Sequence, residues 1–136
     1  MEYCHYQAAD SAWTRLALVL AQYSADQTEA NGQALQAACE AVKKSLFAMA
    51  PTLNQAGKVD QARTVLAMIQ TINTHSADVL GAQASLKASY NVPAHLNFFG
   101  TFLSSMALGE KINAFKAALT TMQGQFTEIW LDFPPA

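Results

Sequence analysis

Apolar side chains recur every three or four residues along most of the chain, which is the spacing of one face of an α-helix. The clearest run lies in the middle of the sequence and comprises Val65, Ile69, Ile72, Ser76, Val79, Gln83, Leu86 and Tyr90. It predicts one amphipathic helix from about Val59 to Tyr90, with Asp60 as a candidate cap at its start. Pro93 closes this helix, because the residue before a proline is pushed out of helical geometry.

The first third of the chain holds two shorter runs that differ in phase. One comprises Trp13, Leu16, Leu20 and Tyr23, and the other comprises Leu35, Cys39, Val42, Leu46 and Met49. The polar stretch around Asp26 separates them, and it is either a tight turn between two helices or a stutter within one continuous helix. Pro51 is predicted to end this region, with a loop from Pro51 to Lys58.

The last third also holds two runs. The first comprises Leu96, Phe99, Leu103 and Met106, and the second comprises Leu108, Ile112, Phe115, Leu119, Met122, Phe126 and Ile129. Gly109 sits where the phase changes, which predicts a kink or a helix stop. Together the runs predict an all-α single domain, residues 1–136. The predicted fold is an antiparallel bundle of three long helices, or four or five if the breaks near Asp26 and Gly109 are turns.

Charge is scarce in this sequence. Hydrophobic residues make up 51% of the chain and charged residues 13%, about half of the roughly 25% that is usual in globular proteins. We therefore expect part of the weakly polar surface to be covered by another copy of the chain or by a protein partner. The eight basic residues are scattered and the net charge is −2, so no nucleic-acid-binding stripe is expected.

The amino-terminal residues lack the basic leader and apolar stretch of a signal peptide. We accordingly expect a cytoplasmic protein, unless a specialised machine exports it.

The residues that carry most enzyme chemistry form no motif here. The chain has ten carboxylates, three histidines and two cysteines, with no HExxH, CxxC, CxxCH, GxSxG or phosphate-binding glycine loop. We expect no metal site, no cofactor and no catalytic residues, and Cys39 is predicted to be a core residue. An enzyme whose groups converge only in three dimensions stays open as a further possibility.

The segment from Ala88 to Gly109 holds no formally charged residue. Asn, His, Ser, Thr and Pro residues interrupt it too often for a membrane span, so no integral span is expected. One interpretation makes the phenylalanine-rich part the central helix of the bundle. In the other, Phe98 and Phe102, one turn apart and off the Leu96-to-Met106 line, face a partner as aromatic anchors. The candidate partner-binding residues are Phe98, Phe99, Phe102 and Met106.

These observations favour a non-enzymatic interaction protein that presents an apolar, low-charge face to itself, to a protein partner or to a lipid or polymer surface. In composition the chain resembles phasins, the helical proteins that coat polyester granules, and small bundle proteins of secretion and phage-assembly systems. That resemblance implies an interaction function. The alternative hypothesis is a bundle that binds an apolar small molecule or haem, using His75 or His95 with Met68 or Met106.

Overall fold

The chain forms four α-helices and the bundle is antiparallel. A computed structural model describes residues 3–131, and within that range it describes the side chains of all residues except 3–5 and 94–98. The helices are α1 (Tyr3–Ala25), α2 (Glu29–Gln55), α3 (Val59–Ser89) and α4 (Ala94–Leu131). Each helix packs against the next one along the chain, and α1 also contacts α4. The prediction of an all-α bundle is confirmed, with the four helices expected if the break near Asp26 is a turn.

The break near Asp26 is a turn between two helices. Thr28 is the N-cap of α2, and its side-chain oxygen accepts a hydrogen bond from the backbone N–H of Asn31 at 3.1 Å. The side-chain amide of Asn31 in turn donates a hydrogen bond to the backbone carbonyl of Asp26 at 2.7 Å. These two bonds satisfy polar groups that a helix end otherwise leaves unpaired, so the turn interpretation is correct and the continuous helix is not.

The end of α2 lies beyond the predicted position. Pro51 was expected to end the helix, yet α2 continues through it to Gln55. Pro51 lacks the N–H that would bond to the carbonyl four residues earlier, but this is one lost bond close to the helix end. The stop comes at Gly57, whose φ of 78° is readily adopted only by glycine.

Helix α3 begins and ends within a residue of the prediction. Its N-cap is Lys58, with no side-chain cap, and Asp60 lies in the first turn, so the expected capping by Asp60 is wrong. Pro93 directly precedes α4. Helix α4 runs without interruption through Gly109, which is therefore not a helix stop.

The core contains the predicted apolar runs of α1, α2 and the later part of α4. All the residues named above for those runs are buried, including Cys39 and every residue of the run from Leu108 to Ile129. In α3, Val65, Ile72, Ser76, Val79 and Leu86 are buried, whereas Tyr90, predicted on the same face, is exposed. None of the described helices is long and apolar enough to cross a membrane.

The four helices differ in length, so part of α4 extends past the end of α1. We call this part the overhang of α4. Helix α4 has 38 residues and α1 has 23, so α4 is longer by roughly 22 Å. The ring of Tyr6, near the start of α1, stacks on Phe126 and Trp130 near the end of α4, with centroids 4.8 and 3.8 Å apart. Because the start of α1 lies beside the end of α4, the extra length of α4 is at its beginning.

Contacts at the end of α1 and at the start of α2 show which part of α4 projects beyond the bundle. Ser24, in the last turn of α1, accepts a hydrogen bond from Lys116 of α4 at 2.9 Å. Lys87 of α3 pairs with Glu29 at the start of α2 at 3.2 Å. The first part of α4 therefore projects past the end of α1, alongside the end of α3.

Candidate interaction surface

The two apolar runs of α4 lie on opposite sides of one helix. Phe99 precedes the buried Leu108 by nine residues, which is two and a half turns and places the two side chains about 180° apart. The same offset separates Leu103 from Ile112 and Met106 from Phe115. Since the helix is continuous through Gly109, Phe99, Leu103 and Met106 of the first run face away from the bundle core.

The solvent exposure of these side chains agrees with that geometry. Phe99 is 68% exposed, Phe102 52%, Leu103 48% and Met106 50%. From Phe99 to Ala107 no residue is buried, whereas burial begins at Leu108 and recurs every three or four residues to Ile129. We call Phe99, Phe102, Leu103 and Met106 the outer face of α4.

The inner side of the same segment is polar. Thr101 and Ser104 precede Leu108 by seven and four residues, so they share its side of the helix, and both are half-buried. Ordinary packing puts apolar residues inward and polar residues outward. The start of α4 has the reverse arrangement, and its outer face is consequently an apolar surface that the described part of the chain does not cover.

Three of the four predicted partner-binding residues belong to this surface. Phe99, Phe102 and Met106 lie together on the outer face of α4, while the side chain of Phe98 falls outside the described residues. The interpretation of this segment as the central helix of the bundle is wrong for Phe99, Leu103 and Met106, because they point away from the core. Leu103 was assigned to a core line and is the surface residue that the sequence analysis missed. The nine-residue offset to the run starting at Leu108 was the signal that could have identified it.

The outer face of α4 carries no charge. The formally charged residues that bound it along the chain are Lys87, which is paired with Glu29, and Glu110. No Asp, Glu, Lys or Arg lies in the segment between them. An occupant of this surface would thus be held by apolar contact and shape, with no fixed charge to attract an ionic ligand.

Cys39 and His75 are titratable side chains in or beside the core. Burial raises the pKa of the Cys39 thiol to about 11, so the thiol is protonated at neutral pH and is a poor nucleophile. His75 is half-buried, and its ring stacks on Phe115 with centroids 5.6 Å apart. Within the described residues no three His, Cys, Asp or Glu side chains come together as a metal site would require.

Met106 lies apart from the other described residues proposed for a haem or small-molecule site. Met68 is buried in α3, whereas Met106 lies on the outer face of α4, away from the core. The side chain of His95 falls outside the described residues. The described residues thus do not place His75 and Met106 around one internal cavity.

An open cleft of about 470 Å³ lies between the start of α2 and the end of α3. Gln27 and Glu29 line it on one side, and Leu86, Lys87 and Tyr90 line it on the other. Its walls include the exposed ion pair between Glu29 and Lys87. Salt bridges at such exposed positions are weak, and the titratable side chains of the lining are Glu29, Lys87 and Tyr90.

Comparison of the chain with protein-family models, with curated proteins and with solved structures finds no match.

Proposed function

We propose that this chain is a non-enzymatic interaction protein and that the outer face of α4 is its binding surface. One observation carries the proposal: a continuous helix places Phe99, Phe102, Leu103 and Met106 opposite its own core-packing side, with about half or more of each side chain exposed. Exposed apolar clusters of this kind mark sites of association in soluble proteins.

The size of the surface suits a binding role. At about 200 Å² for a whole phenylalanine side chain, the four side chains together expose on the order of 450 Å². Covering them would contribute roughly 10 kcal/mol of gross hydrophobic free energy, from which the entropy cost of association takes a large part. Phe99 and Phe102 are the expected anchors, because aromatic residues dominate interface energetics.

The test replaces one anchor by a charge and compares it with an equally exposed phenylalanine elsewhere. Phe99 and Phe47 are both 68% exposed, but Phe47 lies on α2. We expect Phe99→Glu to weaken association at least tenfold or so, and Phe47→Glu to leave it unchanged, with the same helical circular dichroism and Tm in both. Association is measured as oligomeric state by light scattering and as binding to uncharged triglyceride droplets.

Two results would contradict the proposal. One is a wild-type chain that neither self-associates nor binds droplets. The other is equal loss of binding in Phe99→Glu and Phe47→Glu, which would point to general hydrophobicity instead of one surface.

A further inference from the structure

We propose that the occupant of the outer face of α4 is a second copy of the same chain. In this dimer the two α4 helices pack antiparallel across a two-fold axis near Phe102 and Leu103. The inference rests on the proposed function and goes further by naming the partner. A two-fold interface brings one surface patch against itself, so the patch has to be self-complementary in charge, shape and size.

Charge meets this requirement. Like charges that face each other across an interface are destabilising, so a self-pairing surface must be uncharged or carry both signs in register. The segment from Ala88 to Gly109 contains no Asp, Glu, Lys or Arg. Two outer faces therefore meet without repulsion, although each copy carries a net charge of −2.

The shape of the outer face also favours a second α4 helix that runs antiparallel to the first. Bulk is concentrated at the Phe99 end of the face, while the other end is flanked by Ala107 and Gly109. Ala107 is exposed, and a Cβ added to Gly109 would meet no atom within 4 Å. Antiparallel packing about the axis near Phe102 and Leu103 sets Phe99 of one copy level with Met106 of the other, with the small Ala107 next along the helix, and small residues let two helices approach closely.

The area of the surface places the expected dimer among small, weak interfaces. Two outer faces and their small flanking residues would bury on the order of 1,000 Å² in total, at the lower limit for a specific interface. We therefore expect a reversible dimer with a dissociation constant of roughly 10 to 100 μM. Lipid-surface helices usually carry Lys and Arg beside their apolar face, and the charge-free segment here lacks them, which favours the second copy over a lipid surface.

The first experiment is sedimentation equilibrium of the full chain from about 1 to 500 μM, a span that brackets the expected dissociation constant. We expect a monomer–dimer equilibrium in the wild type and in Phe47→Glu. Phe99→Glu and Met106→Glu should each raise the dissociation constant at least tenfold or so. Because both residues are half or more exposed, their circular dichroism and Tm should match the wild type.

The second experiment tests the antiparallel arrangement by disulfide formation in a Cys4→Ser background. Leu103→Cys should cross-link to itself, because it lies near the two-fold axis. Ala107→Cys should not, since antiparallel packing holds the two copies of this residue roughly 13 Å apart along the helices, far beyond disulfide reach. Efficient cross-linking of Ala107→Cys would overturn the antiparallel arrangement.

The outcomes separate this inference from the proposed function. A wild type that stays monomeric to the highest concentration, yet binds triglyceride droplets through Phe99, overturns the second copy and leaves the interaction function standing. A wild type that does neither overturns both. A dimer that survives Phe99→Glu and Met106→Glu uses a different surface and also overturns the inference.

Discussion

Gly32, in the first turns of α2, faces α3 and α1 at distances that leave little room for a methyl group. A Cβ at this position would lie 2.7 Å from Oε1 of Gln83 and 3.3 Å from Cε1 of Tyr23. Gln83 can move, but its amide donates to the carbonyl of Thr28 at 3.3 Å, and the ring of Tyr23 is fully buried. The close approach of three helices at this end of the bundle therefore depends on Gly32, which has no side chain.

Gly32→Ala and Gly81→Ala form a matched test of that dependence. Gly81 is exposed in the middle of α3 with no atom within 4 Å of an added Cβ. There, alanine should raise the free energy of unfolding by about 0.5 to 1 kcal/mol through helix propensity. At Gly32 the displaced Gln83 and the fixed ring should cancel or reverse that gain, leaving Gly32→Ala at least about 1 kcal/mol less stable than Gly81→Ala. Urea denaturation measures both, and equal gains at the two sites would show that Gly32 is not sterically constrained.

At the scale of the elements, α2 contains a proline that costs it helical stability. Pro51 is exposed and α2 continues to Gln55 after it. Pro51→Ala restores the hydrogen bond to the carbonyl of Phe47 and removes a ring clash, while no buried contact is lost. We expect the free energy of unfolding to rise by about 1 to 2 kcal/mol, less than the full helix-interior penalty because the site is near the helix end.

Pro93 provides the control for Pro51. It lies just before the first residue of α4 and is also exposed, where a fixed φ suits a helix start. Pro93→Ala should leave the stability unchanged or lower it, and thermal denaturation compares the two variants. A gain at Pro93 equal to that at Pro51 would refute the helical origin of the effect.

The elements also show which features of this fold can be predicted from the sequence. Burial of Leu16, Val42 and Phe115 follows from three-four periodicity, because each lies in a run long enough to define a helix face. The position of Phe99 does not follow from its own run, which is equally regular. It depends on whether the helix stops at Gly109, since a stop would let Phe99 turn inward and a continuous helix fixes it about 180° from the core. Local sequence leaves that choice open, and so the candidate surface could be only partly predicted.

At the scale of the whole molecule, the overhang of α4 divides this helix into two environments. Residues from Leu108 onward contribute buried side chains to the four-helix core, whereas residues 99–107 contribute none. Helical segments with few buried contacts open at lower free energy than core segments. The proposed binding surface thus lies on a part of α4 to which the core contributes little stability.

Amide hydrogen exchange tests this division and its link to association. At concentrations where the chain is monomeric, amides in residues 99–107 should exchange at least about tenfold faster than those in residues 112–126. When the concentration is raised above the dissociation constant, protection should increase at residues 99–107 and stay constant in the core segment. The reason is that dimerisation stabilises the folded form of the segment that forms the contact. Phe99→Glu should remove the dependence on concentration and leave the core pattern intact. Uniform protection along α4 at low concentration would instead show that the overhang is as stable as the bundle, and a concentration effect centred on residues 112–126 would place the contact between copies elsewhere.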